Sequence, residues 1–157
     1  TDKAIGLFEK FHVFTKAELE SRAEIQYETY AKAINIEAKA MIDIASKQII
    51  PAVIKYTKSL ADTVNSVTAA GAEASVQSEL LAETSGLLSD TKVALQKLMD
   101  LDKKSEEVPE GTELAHYFHE EIVPAMAELR APVDALEMIV DKEMWPMPSY
   151  GDLMFEV

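Results

Sequence analysis

The three histidines are the residues of this 157-residue chain best suited to chemistry. Glu113-x-x-His116 has the carboxylate–imidazole spacing of a di-iron helical bundle, and His119 and Glu120 follow it closely. Glu9-x-x-His12 repeats the spacing. A site of that kind takes two such motifs and a Glu from each of two further helices, all projecting inward. Both motifs are present, but their settings fit poorly. Glu113 falls at a helix start, where acidic side chains are favoured by the helix dipole. His12 closes a short leading segment beside Phe11, Val13 and Phe14. Nothing singles out the two further Glu. Surface or half-buried histidines are therefore expected, and no catalytic, cofactor-binding or metal-ligating residue is assigned.

Other chemistries have less to work with. No Cys is present, which removes disulfides, thiolate zinc sites and a Cys nucleophile together. No Gly-x-Ser-x-Gly turn and no Gly-rich phosphate loop occur. Paired carboxylates carry no signal in a chain of net charge −13. Arg22, among Glu18, Glu20 and Glu24, reads as a surface ion pair. Arg130, flanked by Leu129, Ala131 and Pro132, reads as an interior or inter-helix pair with its stem packed along a helix. The seven Met could line a recognition groove, but several stand at core spacing and read as core filling.

Composition narrows the class. At 48% hydrophobic residues the chain is globular, and its length fits one domain with a sizeable core. The charge is uneven: residues 1–64 hold nine basic and nine acidic side chains, residues 65–157 six basic and nineteen acidic. Such a surface is unsuited to nucleic acid, and a solvated acidic exterior is expected. No run reaches the roughly 20 apolar residues of a membrane span. Residues 1–10 lack a signal-peptide pattern. Together with the missing Cys, this fits a cytoplasmic protein.

Helical periodicity dominates and strand alternation is nearly absent. A short helix is expected from Asp2 to Lys10. Thr15-x-x-Glu18 is a capping box, and a stripe from Ala23 through Tyr30, Ala38, Ala45 and Ile49 to Leu60 and Val67 follows it. A second stripe at Ile36, Ala40, Ile44 and Ile54 suggests a helix sandwiched by neighbours, and the balanced charge of this half suggests a central position. Unbroken to Ala70, this helix would be about 84 Å long, but Pro51 argues for a kink or a restart. Gly71 is the expected C-cap. The next helix spans Ser75 to Lys104 with Leu81, Leu88 and Leu95 in heptads. Residues 105–111 form a loop, and Thr112 caps a last long helix to about Asp141. That helix has a stripe at Phe118, Ile122, Ala125, Leu129, Leu136 and Val140. The Ile-Ile-Pro51-Ala and Ile-Val-Pro124-Ala runs are alike, which either is chance or lets two kinked helices nest.

The expected fold is thus all-α. Residues 1–14 make a short leading helix and linker, 15–141 an antiparallel bundle of long helices, and 142–157 an extended, Pro-containing docking tail. Trp145, Tyr150 and Phe155 suit docking, on the bundle itself or on something else, and the residues preceding Pro146 and Pro148 are held extended.

Three stretches carry a family resemblance. Ile34 to Tyr56 reads INIEAKAMIDIASKQIIPAVIKY, Leu129 to Ile139 reads LRAPVDALEMI, and the tail reads EMWPMPSYGDLMFEV. With Asp2 to Ile5 and Lys16 to Arg22, they resemble the C-terminal region of type III glutamine synthetases over most of residues 2–157, least between 65 and 112. The resemblance implies a parent enzyme that ligates ammonia to glutamate with ATP and a divalent metal such as magnesium. It also implies a cytoplasmic, ring-based oligomer whose catalytic residues lie upstream. The domain is then structural or assembly-related, with the upstream catalytic region and neighbouring subunits as partners. Arg130, Pro132, Trp145, Pro146, Tyr150, Gly151 and Phe155 are its structural and docking candidates. Thr1 at the start fits a piece of a longer chain. The alternative is a free-standing helical binding or sensor module.

Overall fold

The computed structural model describes residues 1–155, with Tyr150 by its backbone alone. Among the described residues every regular element is helical, as the periodicity requires. Helix α1 spans Asp2–Lys10, α2 Lys16–Ile44, α3 Ile50–Ala69, α4 Ser75–Ser105, α5 Thr112–Tyr117, α6 Val123–Glu137 and α7 Tyr150–Phe155. Alpha-helix gives way to π-helix at Ala45–Ile49, between α2 and α3, and at Phe118–Ile122, between α5 and α6.

Those π segments are how the chain accommodates its prolines. Each ends two residues before a proline, Pro51 or Pro124. A proline ring crowds the carbonyl four residues back and leaves it without a donor. One wider turn relieves that clash, so the helix passes through Pro51 by a π bulge instead of stopping. The likeness of the two sequence runs is therefore structural. Pro132, in contrast, lies inside α6.

Three long rods result: α2 with α3, then α4, then α5 with α6. The connections at 70–74 and 106–111 are short, so α4 runs against the other two. Cross-contacts show the direction: the Lys97 ammonium reaches Glu128 at 2.6 Å, while the Tyr117 hydroxyl donates to the Leu101 carbonyl at 3.0 Å.

Local signals close the helix ends. Thr15 Oγ1 accepts the Glu18 amide at 3.3 Å, and Glu18 accepts the Thr15 amide at 2.8 Å, completing the expected box. Gly71, at φ 83°, sends its amide to Thr68 while Ala72 reaches Val67, which is a Schellman end. Thr112 is not a cap as expected. Gly111 takes that place at φ 93° and ψ −135°, a region essentially closed to side-chain-bearing residues.

The core has two centres. One gathers Ala31, Ala38 and Ala45 against Leu95, Leu98, Phe118, Ile122 and Leu129. The other gathers Ile49, Val53, Leu136 and Val140. Small residues every seven positions on the first rod let it approach its neighbours closely. Thr84 and Thr91 are fully buried on α4 and give their hydroxyls to the carbonyls of Leu80 and Leu87. With Leu98 they form a heptad of their own, one that the leucine pattern hides.

The sandwiched central helix is not formed. Ile36 is 70% exposed and Ile54 52%, and most of α2 before Ala31 is exposed. Two neighbouring rods cover one side of the first rod only, so charge balance there does not mark an interior. The last long helix also stops earlier than expected, at Glu137, although Val140 still donates to Leu136 at 2.9 Å and stays buried.

Candidate functional site

Trp145 fixes the tail to the bundle, and the chain builds outward from it. Trp145 packs against the second core centre, and its indole N–H donates to Glu137 Oε1 at 3.2 Å. The turn before it is tied by Asp141, whose Oδ1 accepts the Glu143 amide at 2.7 Å and whose carbonyl accepts the amides of Met144 and Trp145. Pro146 is half-buried and Pro148 exposed.

Beyond Pro148 the tail is not extended as expected; it coils into α7. The cause is a second capping box. Ser149 Oγ accepts the Asp152 amide at 3.3 Å, and Asp152 Oδ2 accepts the Ser149 amide and hydroxyl, each at 2.7 Å. Lys142 Nζ adds a 3.1 Å contact to Asp152 Oδ1. These partners hold the Asp152 carboxyl down at about 2, the Ser149 hydroxyl and amide first and Lys142 after them. The Ser149-x-x-Asp152 pattern is the sequence signal for this cap, and it stands directly after two prolines that favour extended chain.

The other tail candidates part company. The Tyr150 backbone opens α7, while its side chain, with residues 156–157, lies outside the described part. Gly151 sits in α7, where a Cβ would meet Ser149 Oγ at 3.6 Å. Leu153, Met154 and Phe155 are 67%, 71% and 76% exposed, so Phe155 does not dock on the bundle. Arg130 is not an interior or inter-helix pair: it is exposed and bonds Asp134 along its own helix at 3.1 Å. Leu129, not Arg130, faces the core. Pro132 is half-buried in α6.

Arg22 also departs from the surface ion pair expected of it. Its guanidinium lies over the Phe14 ring, 4.6 Å from the centroid, a cation–π contact. Phe14 in turn meets Phe8 of α1 at 5.9 Å.

Each histidine has local work. His12 holds φ 52° as the residue after the α1 C-cap; its amide reaches Glu9 and the Val13 amide reaches Phe8, a Schellman end built without glycine. Glu9 Oε1 accepts the Lys16 amide at 3.2 Å. His119 Nδ1 lies 3.2 Å from the Tyr30 hydroxyl and joins α2 to the second π segment. His116 Nδ1 lies 3.7 Å from Glu120. His116 and His119 share a shallow groove of about 300 Å³ with Tyr27 and Tyr30, whereas His12 lines a different one with Glu9 and Glu18. The two Glu-x-x-His motifs are thus not brought together, and among the described residues no three His, Asp or Glu side chains converge as a metal site would need. No described helix is long and apolar enough to cross a membrane.

The buried hydroxyls of Thr84, Thr91 and Ser105 close on their own helix, whereas among the described residues Asn35 Oδ1 and Asp102 Oδ1 are buried without a partner. Ser105 Oγ donates to the Asp102 carbonyl at 2.6 Å. The Tyr117 phenol, bonded to Leu101, is pushed up in pKa by burial first and by Glu121 and Asp102 after it.

An all-helical bundle with an anchored, Pro-containing tail is the architecture, and sequence comparison places it. Residues 1–68 match the family described as "Glutamine synthetase C-terminal domain", and similarity to whole synthetases extends over the rest of the chain. More particularly, it is 32% identical over 161 aligned positions to a type-3 glutamine synthetase of Dictyostelium discoideum, covering 99% of this chain and 22% of that protein. It is 29% identical to a glutamine synthetase of Butyrivibrio fibrisolvens, covering 100% of this chain and 23% of that protein. A glutamine synthetase of Bacteroides fragilis is 28% identical over 91% of this chain and 20% of its own length. The chain therefore spans about a fifth to a quarter of the curated relatives that it matches.

Proposed function

We propose that this domain is a non-catalytic bracing and assembly element of a type III glutamine synthetase. The parent enzyme would ligate ammonia to glutamate in the cytoplasm, with ATP and a divalent metal such as magnesium bound elsewhere in the chain, and would assemble as an oligomer. The observation that carries the reading is the pairing of a self-contained apolar core with a tail helix whose first turn is capped and whose apolar residues face outward. The buried hydroxyls of Thr84, Thr91 and Ser105 bond within their own helix, while Leu153, Met154 and Phe155 are presented for contact with another body. Its partners in this reading are the catalytic region of the same chain and neighbouring subunits, not nucleic acid or membrane.

Amide formation requires a phosphorylated γ-carboxylate, with metals and fixed donors around the transferred group. This chain alone is expected to make no glutamine when given ATP, magnesium, glutamate and ammonia. Deleting the domain from the full enzyme should lower its melting temperature or its oligomer size. Glutamine formation by the isolated chain would overturn the non-catalytic reading, and a deletion variant with wild-type stability and assembly would overturn the bracing role. The shallow groove of Tyr27, Tyr30, His116 and His119 is the feature that favours a second reading, a ligand-sensing bundle. That reading predicts chemical-shift changes at these four residues on adding a small-molecule effector.

A further inference from the structure

Helix α7 displays three consecutive apolar side chains to solvent and yet is pinned at its first turn. Ser149 and Asp152 cap each other, Lys142 holds Asp152, and Trp145 fixes the preceding turn to the bundle. A surface fixed before it meets its partner loses little conformational freedom on binding. Met144 and Met147, in the turns leading to α7, are exposed as well, and thioethers adapt to irregular partner surfaces.

The charge around this apolar point selects its partner. From Glu137 to Phe155 the chain carries Glu137, Asp141, Glu143 and Asp152 against one base, Lys142, which is already paired with Asp152. Two copies meeting tail to tail would bring like charges together, which disfavours self-pairing through this face. A partner with an apolar pocket and a basic rim fits instead. The matched stretch is a fifth to a quarter of each relative's length, so most of a synthetase chain lies outside it and can supply that pocket.

We propose that α7 is a docking plug: Leu153, Met154 and Phe155 insert into an apolar, Lys- or Arg-rimmed pocket on the catalytic portion of the synthetase. This rests on the reading of the domain as part of that enzyme, and it adds the contact face and its chemistry. The acidic turn of Asp141 and Glu143 lies against the rim and sets orientation, while the three apolar side chains supply the affinity.

The test uses the full-length synthetase with a zero-length carbodiimide cross-linker, which joins carboxylates to lysines in contact. Cross-links from Asp141 or Glu143 to lysines of the catalytic portion are expected. A triple variant, Leu153→Ser with Met154→Ser and Phe155→Ser, should cut their yield by about tenfold or more. The same variant in the 157-residue chain should leave its melting temperature unchanged, because these side chains are exposed; this control separates lost docking from lost folding. Cross-links joining two tails, or an unaltered yield in the triple variant, would overturn the plug. If whole-domain deletion leaves stability and assembly intact while the cross-links to the catalytic portion form and respond to the variant, the bracing role falls and the docking contact stands.

Discussion

Ser149 and Asp152 cap one another across a single helical turn, the serine hydroxyl accepting the aspartate amide at 3.3 Å and the carboxylate accepting the serine amide at 2.7 Å. This reciprocal pair converts the end of a proline-rich tail into a helix. Its dependence on protonation can be followed directly. The carboxyl sits near 2 in the folded chain against an ordinary 3.8. A depressed carboxylate stabilises above its unfolded value and stops doing so as pH falls through its folded one. Amide exchange protection in α7, corrected for intrinsic rates, should be constant from neutral pH to about 4 and decline toward 2. Asp152→Asn should abolish that decline; a decline of the same midpoint in the Asn variant would remove Asp152 as its source.

Trp145 is the anchor of the tail, half-buried against the centre formed by Ile49, Val53, Leu136 and Val140. Trp145→Ala is expected to destabilise the chain by about 2–3 kcal/mol, less than the roughly 3–5 kcal/mol of a fully buried large aromatic because burial is incomplete. Truncation after Lys142 removes the same anchor and should cost a similar amount or promote self-association. Denaturant unfolding followed by circular dichroism measures both, and unchanged midpoints and monomer content would show that the tail is not docked.

His12 serves α1 by its backbone, at φ 52°. A left-handed conformation costs a side-chain-bearing residue roughly 1–2 kcal/mol, and glycine avoids it. His12→Gly should therefore stabilise the chain, by up to about 1 kcal/mol. A loss of stability on this substitution would mean that the imidazole makes a contact worth more than the backbone strain.

Gly86 and Gly111 should respond oppositely to alanine. Gly86 lies inside α4 with open space around a new Cβ, so Gly86→Ala should stabilise by about 0.5–1 kcal/mol. Gly111 holds φ 93°, and Gly111→Ala should destabilise by about 1 kcal/mol or more. Two thermal unfolding curves moving in the same direction would contradict this assignment of the α4–α5 connection.

The three rods are legible in the residue pattern alone, because their apolar stripes repeat at a period that only helices satisfy; the buried Phe118, Ile122, Leu129 and Leu136 lie where that period puts them. The Thr15–Glu18 box and the Gly71 end are legible there too, since both depend on residues at most a few positions apart. Whatever depends on a neighbouring element lies beyond local pattern. Ile36 and Ile54 read as a second buried face but stand exposed, because periodicity reports that a side chain is apolar and not whether another rod covers it. Pro51 was legible as a disruption, yet whether a helix breaks, bends or widens depends on the packing that holds both of its ends. The tail shows the same division within a few residues. Trp145 and Phe155 are both aromatic and both looked fit to dock, but only Trp145 meets the bundle, because the turn at Asp141 and the cap at Ser149 aim the chain past it.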